Sequence, residues 1–323
     1  MTRNRKFATR LVCAAVVVLI GAAFSADVAA GPPESKVFLN GKPVAVFFND
    51  GDSFRILRGR HKGARARLAG FNTLESHGPV HQWGDWTEKE MYVLAKMATL
   101  HARRGVWHCT SESKLDSYGR MLLSCPDLAE EMIRLGYAHA LTVTDDPSDE
   151  KLLAAQREAQ EQKRGIWAHG IPEYIVTSIH SVEEDVRGRG TYNRTVDTRD
   201  GHSVMWRHVN RYEECQRVCK YKYAVDEAKL AEVLTAFKAD ANAAKLIEGL
   251  SDEALTTAVR NFATFRHFDR EIPVERRWDL IQLFEGYLKA GWFGEIPPGT
   301  EVSCMRHIDF KRRYGTGKAA CLK

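Results

Sequence analysis

Between Lys36 and Ser124 the chain is patterned in twos. VFLNGKPVAVFF, SFRILRG, ARARLAG, VWHCT and RMLLSC alternate apolar with polar residues, and the first carries an Asn-Gly turn. Such alternation gives each segment one face to bury, which suits short strands rather than helices. Five strands are expected. One helix interrupts them: Thr87 and Glu90 make a capping-box pair, and Met91, Leu94, Met97/Ala98 and His101 line one face. A second helix opens with Asp127 and Glu130 and ends at Gly136. A third opens at Ser148, with Asp149 and Glu150 behind it, and closes on Lys163, Arg164 and Gly165, the charge order that a helix dipole prefers.

Gly170 to Pro172 reads as a boundary that closes a domain over 31–172. YIVTSIH and the hairpin TYNRTVDTRDGHSVMWRH fill a connecting segment, 173–211. From Tyr212 the expectation is a mainly helical domain, 212–323. Its helices are ECQRVCKYKY, DEAKLAEVLTAF, EALTTAVRNFATF capped by Ser251, and WDLIQLFEGYLKAG ending on Gly291. That domain shows no chemistry of its own in the sequence, and KRRYGTGK near its end reads as a solvated tail, because a phosphate loop needs a strand before it and a helix after it.

The first 30 residues have another explanation. Arg3, Arg5, Lys6 and Arg10 precede the apolar run LVCAAVVVLIGAAF, and small residues follow up to Ala30, the layout of a secretory signal peptide. That run is shorter than the roughly 20 residues a spanning helix needs. Export is the expectation, with an uncleaved anchor as the alternative and no other contact with membrane. The segment also removes most of the formal charge of +5, so net charge says little about a polyanionic partner. Cys109, Cys125, Cys215, Cys219, Cys304 and Cys321 remain, an even number that favours disulfides in an exported chain. Cys109 and Cys125 lie on neighbouring hairpin arms and are expected to pair. Cys215 and Cys219 are expected to pair with Cys304 and Cys321, in either order.

Three motifs carry possible chemistry. NDGDS places Asp50 and Asp52 around a turn glycine; RLAGFNTLE supplies Arg67, Asn72, Thr73 and Glu75; DSYGR supplies Asp116, Tyr118 and Arg120. Each alone is ordinary turn or surface chemistry. Together they hold what phosphodiester hydrolysis requires: oxygen ligands for a hard cation, cationic clamps for the transition state, and a carboxylate to activate water.

In order and spacing these motifs, with EAQEQKRGIW on the last helix, resemble the staphylococcal nuclease (thermonuclease) family over about residues 44–167. The resemblance implies an α+β fold in which a five-stranded OB-like barrel carries three helices. It implies a calcium-dependent nuclease acting on DNA or RNA; together with the leader the expectation is an exported enzyme, a monomer with no stable protein partner. Asp52, Asn72 and the Thr73 carbonyl would hold Ca2+, with Asp50 in support. Glu75 would activate water, Arg67 and Arg120 would grip the scissile phosphate, Tyr118 would lie along the nucleotide, and Asp116 would brace its loop.

Three departures stand out. Asn72 replaces a carboxylate, Leu74 replaces a proline, and ALTVTDD offers Thr142 and Thr144 where the family's type member has aromatic residues. Fewer ligand charges mean weaker calcium binding. A second reading is therefore a non-catalytic OB-type module that binds nucleic acid or protein. The basic run RILRGRHKGARAR fits either a solvated strand pair or a track for a polyanion. Trp83 and Trp86 fit either a stacking surface or a plug at the barrel edge. His77 and His81 are separated by Gly78 and Pro79, which argues against a helical metal pair.

Overall fold

The computed structural model describes residues 36–184 and 191–309, with Ala319 and Cys321. The expected leader over 1–30 and the KRRYGTGK tail lie outside the described residues. The alternating half forms β1 (Lys36–Leu39), β2 (Lys42–Asp50), β3 (Ser53–Ile56), β4 (Arg65–Leu68), β5 (Gly70–Thr73), β6 (Val80–Gln82), α1 (Glu88–Ala102), β7 (Val106–Leu115), β8 (Met121–Ser124), α2 (Pro126–Arg134), β9 (Ala138–Leu141) and α3 (Glu150–Glu161). Six of these strands close into a barrel in the order β1, β2, β3, β4, β8, β7. The sequence predicts five. The sixth arises because Asn40 and Gly41 both take positive φ, 50° and 76°, and fold VFLNGKPVAVFF back on itself as β1 and β2.

Phe48, Phe54, Ile56, Leu68, Phe71 and Leu123 fill the barrel core, and Leu128 and Met132 of α2 pack onto it. Burial of each such side chain is worth about 1.5–3 kcal/mol. The capping box of α1 is present, with Glu90 N donating to Thr87 Oγ1 and Thr87 N to Glu90 Oε2. The α3 cap is Asp149, one residue after the expected Ser148, because its carboxylate accepts from Lys151 N at 2.9 Å. Trp83 and Trp86 both donate to the Ile166 carbonyl, and Trp83 is buried, so this pair closes an edge.

The rest of the chain forms β10 (Tyr174–Ser178), β11 (Thr191–Asp197), β12 (Ser203–His208), β13 (Arg217–Lys222), α4 (Glu227–Ala239), α5 (Ala244–Ile247), α6 (Asp252–Phe265), α7 (Val274–Lys289) and β14 (Thr300–Arg306). The hairpin predicted over 191–208 is β11–β12, in a three-stranded sheet with β10. Phe237, Phe262, Phe268 and Phe284 make the core of α4, α6 and α7. ECQRVCKYKY, expected as a helix, is strand β13: Val218 and Lys220 turn inward while Arg217, Cys219 and Tyr221 turn outward. The Cys-x3-Cys spacing imitates a helical face, but Cys219 stands directly across from Cys304 of β14 and is bonded to it. Residues 212–309 are thus helical with a strand at each end.

Cys109 pairs with Cys125 as expected, and the other two disulfides are Cys215–Cys321 and Cys219–Cys304. Three disulfides fit an oxidising compartment. Among the described residues no helix is long and apolar enough to cross a membrane. β14 is the central strand of a three-stranded sheet, with β13 on one edge and β6 on the other, so a late strand of the chain lies beside the segment that follows Glu75.

Candidate active site

Asp52 ends the tight NDGDS turn, immediately before β3. A Cβ on Gly51 would lie 2.6 Å from Thr73 Cγ2, so only glycine lets the turn approach β5 this closely. Asp52 is buried, and its Oδ2 accepts from Thr73 N at 2.8 Å. Its other oxygen pairs with the Arg67 guanidinium. Arg67 faces out of the barrel between buried Ala66 and Leu68, and its Nη2 donates to Asn72 Oδ1 at 2.6 Å. Asn72 Nδ2 donates to the Thr73 carbonyl at 2.9 Å. Asp52, Arg67, Asn72 and Thr73 therefore form one network, tied across β3, β4 and β5.

His139, on β9 opposite Asn72, completes that network. Its Nδ1 bonds the Ala140 carbonyl at 2.9 Å, so Nδ1 carries the hydrogen and Nε2 faces Asn72 Nδ2 at 3.5 Å as an acceptor. Burial pushes its pKa down to about 4, which keeps the ring neutral. AHAL gives no hint of this role. A single histidine in a buried strand becomes visible only through the β5–β9 register.

A second set lies beside the first. Asp50 Oδ1 accepts from Ser76 N at 2.9 Å, and Ser76 Oγ donates to the Asn49 carbonyl. These bonds hold the half-buried Glu75 against the end of β2. Burial raises the Asp50 pKa well above the usual carboxylate range, and the charges of Glu75 and Asp52 add to the effect. Three carboxyl groups thus share one neighbourhood. His81 on β6 is buried, and its pKa falls to about 3, mainly through that burial.

Arg120, Asp116 and Tyr118 form a third set in the turn before β8. Asp116 accepts from the backbone N–H of Tyr118 and of Arg120, and its other oxygen takes the Arg120 Nε at 2.6 Å. Burial alone would raise the Asp116 pKa, but the Arg120 backbone and guanidinium outweigh it and hold the group low. β4 and β8 run parallel with Arg67 opposite Leu122, so the strand period puts residue 120 on the face that carries Arg67. Arg120 is paired with Asp116 rather than with the Asp52 network.

The donor set around Asp52 suits a hard cation: a carboxylate, an amide oxygen and a carbonyl, with no sulfur or imidazole in first position. Thr73 Oγ1 is buried there with no hydrogen-bond partner among the described residues. These residues fit calcium in chemistry, although Arg67 already draws on two of the oxygens. Asp197, Asp200 and His202 also gather closely, outside the predicted metal set. Arg199 and Arg270 already pair with the two aspartates, and Asp269 with His202.

No curated protein matches this chain. The model of one protein family does match, over a segment that includes Arg67, Asn72, Thr73, Glu75, Asp116, Tyr118 and Arg120 but begins after Asp50 and Asp52. Residues 65–169 match the staphylococcal nuclease homologue family, the family that the three motifs resemble.

Proposed function

We propose that the protein is an exported, metal-dependent phosphodiesterase that cleaves DNA or RNA. The observation that carries this reading is the junction after β4. There a buried carboxylate, an arginine and an amide oxygen meet, and Glu75 follows two residues beyond Thr73. Asp52, Asn72 and the Thr73 carbonyl would hold calcium, which when bound supplies positive charge for the phosphate oxygens.

Glu75 takes a proton from the attacking water, whose oxygen bonds to phosphorus while the bond to the leaving sugar oxygen breaks. Arg67 and Arg120 neutralise the charge that builds on the phosphoryl oxygens. Arg120 holds Asp116 through Nε, which leaves its forked edge to meet a phosphate. His139 is a positioning residue that fixes the Asn72 amide. Asp50, whose pKa burial raises, accepts from Ser76 N and so fixes the turn that carries Glu75.

The test is plasmid cleavage in calcium, with and without a chelator. Glu75→Gln is expected to slow cleavage by about 10²–10⁴-fold. A second reading, a binding module without catalysis, is favoured by one observation: Arg67 is ion-paired to the very carboxylate that would ligate the metal. Retained nucleic-acid binding with no cleavage at millimolar calcium would establish that alternative.

A further inference from the structure

The stretch ALTVTDD lacks the aromatic side chains expected beside a nucleotide, and the chain supplies aromatic and cationic groups from elsewhere. β11, which lies outside the matched segment, runs along this half of the protein. At one end of its hairpin Gly201 O accepts from Thr142 N at 2.8 Å, and Asp200 O accepts from Ser148 N at 2.8 Å. Near its other end the Tyr192 hydroxyl lies 3.1 Å from the Tyr118 hydroxyl. Arg194 stands between, with its guanidinium 5.7 Å from the Tyr192 ring and its Nη1 donating to Ser203 Oγ at 2.6 Å. His180 Nδ1 donates to the Tyr192 carbonyl at 2.8 Å and fixes the start of the strand.

Charge makes this arrangement unusual. Among the described residues the partners of Arg194 are a serine hydroxyl and the Tyr192 phenol, not a carboxylate. It is half-buried, and it is close enough to Arg67 for the two positive charges to repel. Arg65 Nη2 donates to the Tyr118 carbonyl, and Arg120 lies 5.5 Å from the Tyr118 ring. Two tyrosines and several arginines thus gather here, with Asp116 pairing Arg120 and Asp52 pairing Arg67. A partly buried guanidinium without a counter-ion is costly unless an anion completes it. Aromatic faces interleaved with arginines are the pattern that single-stranded nucleic acid occupies.

We propose that β11 forms the second wall of the nucleic-acid subsite, with Tyr192 and Tyr118 flanking a base and Arg194 holding the phosphate next to the one gripped by Arg67. The proposal rests on the phosphodiesterase reading and gives the connecting segment a role in substrate binding. The preferred substrate is then an unpaired strand, whose bases can leave the stack and reach both tyrosines.

The full chain carrying Glu75→Gln is titrated into a fluorescein-labelled single-stranded oligonucleotide in calcium, and anisotropy is read at several salt concentrations. Adding Arg194→Gln or Tyr192→Leu is expected to raise Kd at least about fivefold. Arg194→Gln should also flatten the salt dependence by about 0.7 in log–log slope, the share of one phosphate on a single strand. With Glu75 intact, the loss should fall on KM rather than on kcat. Arg194→Lys keeps the charge and is expected to retain the slope, which separates lost contact from a damaged fold. If Arg67→Gln weakens binding while Kd and slope are unchanged in Arg194→Gln and Tyr192→Leu, the second wall is wrong and the phosphodiesterase reading stands. If the wild-type chain neither cleaves plasmid nor binds the oligonucleotide, both fall.

Discussion

At the scale of single residues, the candidate site depends on contacts that tolerate little added volume. Gly51→Ala would drive a methyl group into Thr73 and Met132, both within 3 Å of it. The buried Thr73 and Met132 side chains must shift to make room, so a loss of about 1–3 kcal/mol is expected, read by urea denaturation. The same shift displaces Thr73 N from Asp52, so calcium affinity should fall in parallel. Asn72→Asp acts in the opposite direction on the ion. A second carboxylate beside Asp52 restores a ligand charge, and calcium Kd should fall roughly tenfold by calorimetry. An unchanged Kd would mean that residue 72 does not touch the ion. Asn72, Glu75 and both arginines are legible in the sequence because short motifs keep them a few residues apart. His139 is not, since its place beside Asn72 comes from pairing between β5 and β9.

At the scale of elements, the barrel strands are legible because each carries its own period-two pattern. β13 misleads because cysteines four apart suit a helix as well as a strand, and only the β14 register decides between them. The Cys109–Cys125 disulfide joins β7 to the residue that precedes α2, across the hairpin that presents Asp116, Tyr118 and Arg120. Its sequence separation is 16. Replacing both cysteines with serine should cost about 3 kcal/mol of unfolding free energy, by the chain-entropy argument. Cleavage should survive in the fraction that folds, because no site residue bonds to sulfur. A complete loss of activity in folded protein would show that the bridge sets the loop itself.

At the scale of the whole molecule, the later half of the chain is fastened to the earlier one by polar contacts. Arg277 of α7 holds Asp145 with both Nη groups, at 2.9 and 2.6 Å. His202, after the β11–β12 turn, is buried between Asp200 and Asp269. Burial pulls the His202 pKa down, but the two carboxylates outweigh it and raise it above the ordinary value. A cation held this way stabilises the fold below the unfolded-state pKa, and that contribution is lost as pH rises through the folded-state value. Nearby Lys220 acts in the opposite sense, since burial depresses its pKa to about 7. The useful quantity is therefore the difference in stability between wild type and His202→Gln. That difference should shrink from pH 5.5 to pH 8 in thermal melts; a constant difference would mean that His202 is neutral throughout. Removing residues 173–323 should lower solubility and melting temperature, because β6 loses its β14 partner and buried His81 gains solvent.

The sequence by itself determined the local matters: strand alternation, helix caps, the even cysteine count, and the catalytic-type residues grouped in three motifs. Each of these is set by neighbours within a few positions. Tertiary structure alone decided that the barrel carries a sixth strand, in which order Cys215 and Cys219 pair with Cys321 and Cys304, and that β14 lies against β6. It also brought Tyr192 and Arg194 beside Tyr118 and Arg67. Hydrogen-bond registers and side-chain contacts between segments far apart in the chain leave no periodic trace in either segment, so only the folded chain displays them.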